Sequence, residues 1–249
     1  MILGTEGLGE QALNKIVQMA LSAQVGEAEK LKVQVKTDPE QLAQGEVESL
    51  AIDGKGLVMQ QDLRMQEIEI QMNGIAVCPL KALIGNIELT KPTEGTARIV
   101  LTEADINHAF NSEVLVNQMR SLNIHVNGKL LTIEIQQVNC HLLANGKVVI
   151  DAQLVVQQTG ETQQVSFATT PCISTCGRSI SLEDVQYQDG KELSPELTTA
   201  LMEKARKILN LRNFEMKGIM LQVHQLNVEA GKLTLEAAAN ITQFPSGLI

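Results

Sequence analysis

The residues best suited to chemistry are Cys172-Ile173-Ser174-Thr175-Cys176 and, elsewhere in the chain, Cys140-His141. Thiolates and an imidazole could complete a tetrahedral zinc shell, or Cys172 and Cys176 could form a redox disulfide. A C-x3-C without a second close pair falls short of a zinc-ribbon pattern, and Pro171 to Gly177 reads more simply as a turn. No serine sits in a G-x-S-x-G elbow, and His108, His125, His141 and His224 have no carboxylate at a sequence spacing that would orient them. His125, His141 and His224 fall in alternating runs and are expected on wet faces. Gly54-Lys55-Gly56 reads as a turn rather than a phosphate cradle, because no G-x-x-x-x-G-K-[ST] or G-x-G-x-x-G occurs. The expectation is no catalytic residues, no metal and no cofactor.

What remains is an unusually aliphatic chain. Of its 249 residues 44% are apolar but only 2% aromatic, with Trp absent and Tyr187 the single tyrosine. A net charge of -9 and so few rings disfavour nucleic acid, which calls for a basic field and stacking platforms. The longest apolar runs, such as Lys147 to Val156, alternate with polar residues and are too short to span a bilayer. The segment from Met1 to Glu6 carries neither a basic nor an apolar signal region, so the expected location is cytoplasmic, with the four cysteines as free thiols.

Leu13, Ile16, Val17, Ala20, Leu21 and Val25 recur at helical spacing opposite Glu10, Asn14, Gln18 and Ser22, which predicts an amphipathic helix ending near Gly26. Leu31, Val33 and Val35 then alternate with polar residues as a strand with one wet face. Further on, Leu63 and Met65 are out of phase with Ile68, Ile70 and Met72, which suggests a bulge near Gln66 and Glu67. Bulged sheets curl, so a concave apolar face is expected. Thr102 with Asp105 forms a capping-box variant ahead of a helix over roughly 103–121. Asn127-Gly128, Asn145-Gly146 and Ala230-Gly231 mark hairpins, making the sheet antiparallel. Ser194-Pro195-Glu196 opens a third helix over roughly 195–210. The predicted organisation is an N-terminal helix over 1–28 and one elongated α+β domain over 29–249.

Leu101-Thr102-Glu103-Ala104-Asp105-Ile106-Asn107, preceded by the strand at Ala97 to Val100 and followed by Val114 and Leu115, resembles the LmeA-like phospholipid-binding family. The similarity extends from about Leu31 to near Ile241. It implies a tubular lipid-binding (TULIP-like) half-barrel: a long, strongly curved antiparallel sheet wrapped around amphipathic helices, leaving an apolar groove for acyl chains. It implies no catalytic residues. Without an export signal or anchor cysteine at its start, the sequence resembles the cytosolic-type members.

On that basis the candidate lipid-lining residues are Ile106, Ala109, Phe110, Val114 and Met119 on the second helix and Leu197, Leu201, Ala205 and Ile208 on the third. Met216 and Met220 join them, because thioethers adapt to variable shapes. The expected function is non-catalytic binding or transfer of phospholipid or another glycerolipid, with room for peripheral contact at an inner membrane and for homo-oligomers. The alternative is a structural or assembly protein with a fully packed core that self-associates through edge strands and the N-terminal helix. An enzyme or metal-dependent redox protein using the cysteines ranks last.

Overall fold

A computed structural model describes residues 8–59, 63–82, 88–119, 121–126, 129–188, 193–210 and 218–243. Helix α1 (Leu8–Gln24) runs directly into β1 (Val25–Lys36), followed by α2 (Pro39–Ala43), β2 (Glu46–Met59), β3 (Arg64–Ala76), α3 (Pro79–Ala82) and β4 (Thr93–Thr102). Next come α4 (Glu103–Phe110), α5 (Glu113–Met119), β5 (Leu122–Val126), β6 (Lys129–Leu142), β7 (Val148–Val156), β8 (Glu161–Ile173) and β9 (Ile180–Tyr187). The chain closes with α6 (Pro195–Ile208), β10 (Ile219–Glu229) and β11 (Lys232–Ile241). The fold is α+β, a strongly curled antiparallel half-barrel with a few helices, as the sequence predicts.

The half-barrel is made of two sheets rather than one continuous sheet. A six-stranded sheet has the order β1-β2-β3-β4-β11-β10, and a five-stranded meander runs β5-β6-β7-β8-β9. The division arises because β4 passes straight into α4 at Thr102, so the meander is inserted before the β10–β11 hairpin returns to pair with β4 from Thr93↔Ile241 to Thr102↔Lys232. The hairpin at Asn145-Gly146 and the one at Ala230-Gly231 form as predicted, each glycine at positive φ (Gly146 81°, Gly231 71°), where a side chain would be strained. β5 and β6 pair as the third predicted hairpin requires, with residues 127–128 outside the described residues.

Three local expectations need correction. No register shift separates β2 from β3, so the predicted bulge at Gln66 and Glu67 is absent. The phase change comes instead from the partner strand, where Gly56 takes φ 56° between the pairs Lys55↔Glu67 and Leu57↔Met65. A side chain at Gly54 would meet Leu57 Cδ1 at 2.7 Å, so Leu57 lies over Gly54 on the face that also carries Ile68. Gly54-Lys55-Gly56 is therefore the interior of β2, not a turn. The helix predicted over 103–121 is broken at Asn111 and Ser112 into α4 and α5, and the Ser112 hydroxyl donates to the Ala109 carbonyl at 2.7 Å. Shifts that do bend the sheets occur at Val25/Glu27, Ile135/Gln137, Ala168/Thr170 and Val223/Gln225.

Helix α1 packs on its own sheet. Val17 and Leu21 lie against a core of Val33, Val35, Leu50, Ile52, Met72 and Ile241. Its polar side chains meanwhile serve the free edge of β1: the Val35 N–H donates to Asn14 Oδ1 (2.5 Å), the Thr37 N–H donates to Glu10 Oε1 (3.2 Å), and Gln18 Nε2 donates to the Leu31 carbonyl (3.1 Å). Spacing of four along the helix thus matches alternate residues of an edge strand.

The same device recurs where the sheets join. β5 reaches only as far as Ile133 along β6, so the stretch of β6 beyond it lacks a strand on that side. Helix α4, started by the Thr102–Asp105 capping box, fills the gap. Asn107 Nδ2 donates to the Cys140 carbonyl (2.9 Å), and the Cys140 N–H donates to Asn107 Oδ1 (2.7 Å). The Leu142 N–H donates to Glu103 Oε2 (2.9 Å), while the Leu142 carbonyl accepts from the Gly231 N–H (3.0 Å). The Glu103 N–H closes the circuit on the Gly231 carbonyl (3.0 Å). All four backbone groups at 140 and 142 on this edge are thereby satisfied. Replacing Asn107 by Leu strands a backbone donor and acceptor beside buried Cys140, so Asn107→Leu should cost about 2–4 kcal/mol. Thermal unfolding followed by circular dichroism should show a midpoint lowered by roughly 5–12 °C.

Candidate lipid-binding layer

Helices α4, α5 and α6 form a layer over one face of the five-stranded sheet. Ile106 and Phe110 of α4 pack with Cys140, Leu142 and Val148 of that sheet and with Val228, Leu226 and Leu233 of the other. Ala109 and Phe110 also meet Leu115, Val138 and Ile208. Leu197 and Leu201 of α6 lie over Leu122, Ile124, Ile133, Leu154, Val165 and Phe167. The layer is therefore continuous, and it reaches both sheets, because Leu209 at the end of α6 joins Ile180, Val223, Leu235 and Ala237.

Sequence explains this placement. Ser194 caps α6, its hydroxyl accepting from the Leu197 N–H, and Pro195 opens the first turn. Thr198 meets the Tyr187 hydroxyl at 2.5 Å, and the Ile180 N–H donates to the Leu209 carbonyl at 3.1 Å. Helix α6 is thus fixed to β9 at both ends.

The eleven predicted lining residues separate into groups. Leu197 and Ile208 are buried. Ile106, Ala109, Phe110, Leu201 and Ala205 are half-buried. Val114 and Met119 fall on α5, their side chains outside the described residues, and Met216 lies outside the described residues altogether. Met220 does not join the layer: Ile219 and Leu221 pack on the α1 core, so strand alternation turns Met220 to the other face, where it is 48% exposed. Met202, on α6, packs into the layer without having been singled out as a lining residue. Its neighbour Leu201 is on the predicted stripe, and both pack against the same cluster of the five-stranded sheet.

A cavity of about 430 Å³ lies on the opposite face of the five-stranded sheet, and its lining is polar. It is bounded by Gln137, Asn139, Asp151, Gln153, Gln164, Ser166 and Gln188, with Ala152 and Val165 between them in the strands. This differs from the aliphatic groove expected from the sequence. The apolar side chains of the same strands, Ile135, Ile150, Leu154 and Phe167, are on the helix side.

The histidines need one correction. His125, His141 and His224 are exposed as predicted, but His141 does have orienting carboxylates, supplied by the fold rather than by sequence spacing. Its Nδ1 lies 3.2 Å from Glu103 and its Nε2 lies 3.4 Å from Asp151. His224 lies 3.9 Å from Glu236. The two carboxylates at His141 flank opposite ring nitrogens, so they cannot share one ion with it. Among the described residues no group of three or more His, Cys, Asp or Glu side chains is placed to hold a metal.

The four cysteines are free thiols in different surroundings. Burial, reinforced by the Glu103 charge, pushes Cys140 up to about 12. Burial and then the Glu183 carboxylate raise Cys172. Exposed Cys176 is lowered, chiefly by the Ser174 hydroxyl 3.5 Å away and then by the Arg178 backbone N–H. Because the thiolate is the reactive form, iodoacetamide at neutral pH should modify Cys176 ahead of Cys172 and leave Cys140 unmodified until the protein is unfolded. Peptide mapping by mass spectrometry gives the order, and early labelling of Cys140 would contradict the junction geometry.

Comparison with known proteins adds one finding. The family model described as LmeA-like phospholipid-binding matches residues 4–238, nearly the whole chain, including the α4 motif and both sheets. No curated protein and no solved structure matches significantly. With an antiparallel half-barrel, a continuous aliphatic helix layer and a match of this extent, the chain belongs to the LmeA-like phospholipid-binding family.

Proposed function

We propose that this protein binds glycerolipids non-catalytically, holding acyl chains against the layer formed by α4, α5 and α6, and that it carries or presents them at the surface of an inner membrane from the cytoplasmic side. The observation that carries this reading is the half-buried apolar strip of Ile106, Phe110, Leu201 and Ala205. Such residues sit over a sheet already fully apolar beneath them, so the layer offers acyl chains a lining rather than a wet surface. Burial of each methylene contributes about 0.8 kcal/mol, so an acyl chain sheltered along this strip needs few polar contacts. Family membership supports lipid as the ligand class.

A second reading has its own observation. Leu197 and Ile208 are buried and the described cavity is polar, which favours a packed interior and an assembly role. Native mass spectrometry with lipid extraction of the same sample separates the two. Near-stoichiometric glycerolipid is expected, and Leu201→Glu should strip it while Leu201→Met retains it. Protein that emerges lipid-free and also takes up no fluorescent acyl probe would sink the lipid reading and leave assembly ahead.

A further inference from the structure

The polar cavity lies on the face turned away from the helices, so it raises a question separate from acyl binding. Its lining is two rungs across neighbouring strands. Gln137 of β6 pairs with Gln153 of β7, which pairs with Gln164 of β8. The next rung is Asn139, Asp151 and Ser166, completed by Gln188, whose Oε1 accepts from the Ser166 hydroxyl at 3.4 Å. Register shifts at Ile135/Gln137 and Ala168/Thr170 flank these rungs, and the bending they impose makes this face a trough.

The chemistry of the trough is narrow. Among the described residues, the side chains of Gln137, Asn139, Gln153 and Gln164 make no hydrogen bond to protein and stay open to solvent, so their amide groups are available to a ligand. Each primary amide offers a carbonyl acceptor beside two N–H donors. Neither Lys nor Arg lines the cavity, so no charge there favours phosphate or carboxylate over a neutral group. The one acid, Asp151, already faces His141. The partner that fits is neutral and bears several groups that both donate and accept, which is the chemistry of adjacent hydroxyls. The trough offers about 430 Å³ and is open to solvent rather than enclosed, so a ligand there would be held along one side by its polar groups.

We propose that this trough is a binding site for a neutral polyhydroxylated ligand, such as a glycosyl unit. It has no aromatic platform on which to stack a sugar ring, so the affinity is modest, in the millimolar range. The sheet itself separates the site from the acyl layer, so this proposal stands whether or not the lipid reading does.

The test uses the whole protein labelled with ¹⁵N and follows side-chain amide resonances during titration with methyl glucoside, octyl glucoside below its micelle concentration, and inorganic phosphate. Saturable shifts of the Gln137, Gln153 and Gln164 amides with methyl glucoside are expected. The double variant Gln153→Ala/Gln164→Ala, on the solvent face and so without consequence for the core, should weaken binding roughly tenfold. Equal affinity for the two glucosides assigns a free or surface-borne glycan, whereas tighter binding of octyl glucoside assigns a glycolipid headgroup, and either supports the class. Absence of saturable shifts, a response to phosphate instead, or unchanged binding in the double variant would overturn it.

Discussion

Everything in this structure depends on how the free edge of β6 is closed at Cys140 and Leu142. A sheet edge inside a protein must have its N–H and C=O groups satisfied, and here no strand is available to do it. Asn107 imitates a strand residue by exchanging two hydrogen bonds with Cys140, Glu103 accepts from Leu142, and the Gly231 turn takes the remaining carbonyl. Three separate elements, α4, the five-stranded sheet and the β10–β11 hairpin, are thereby held at one point. That point fixes α4 over the seam between the sheets, and with it the position of Ile106 and Phe110. The aliphatic layer is a consequence of the polar clamp.

The recurrence of the device at α1 shows that it is a general solution in this chain. Both helices put short polar side chains four residues apart against an edge strand while their apolar residues enter the core. A helix used this way belongs to two layers at once. This accounts for the polar residues of α1, which at first sight form only a wet face, and for the Thr102-Glu103-Ala104-Asp105-Ile106-Asn107 segment, whose cap, clamp and core residues interleave within two turns.

Much of the fold was legible because it is written in local periods. The switch from 3.6 to 2 after α1, the Thr102–Asp105 capping box and the Asn145-Gly146 turn depend only on neighbours in sequence. What was not legible involves residues far apart. The division into two sheets depends on β11 returning to β4, the carboxylates at His141 come from α4 and β7, and the phase change near Gln66 originates across the ladder at Gly56. The candidate lining residues on α4 and α6 could be read because a helix stripe is periodic. Met220 could not be placed, since one residue of slip in a strand exchanges its faces. The amide trough was missed for a related reason: its glutamines look like ordinary wet-face residues until three strands put them side by side.

The pairing of β4 with β11 also bears on how the chain reaches this structure. β5 to β9 form a meander of sequence-local contacts that can collapse as soon as it is made, and the same holds for β1 to β4. The six-stranded sheet is different, because one side of β4 is paired only by β11, which returns from far along the chain. Closure of the six-stranded sheet is therefore its long-range step, whereas the pairings within β1 to β4 and within β5 to β9 are local. The clamp at Gly231 lies on that long-range closure, so the same turn that satisfies the edge of β6 also ties the returning hairpin to α4.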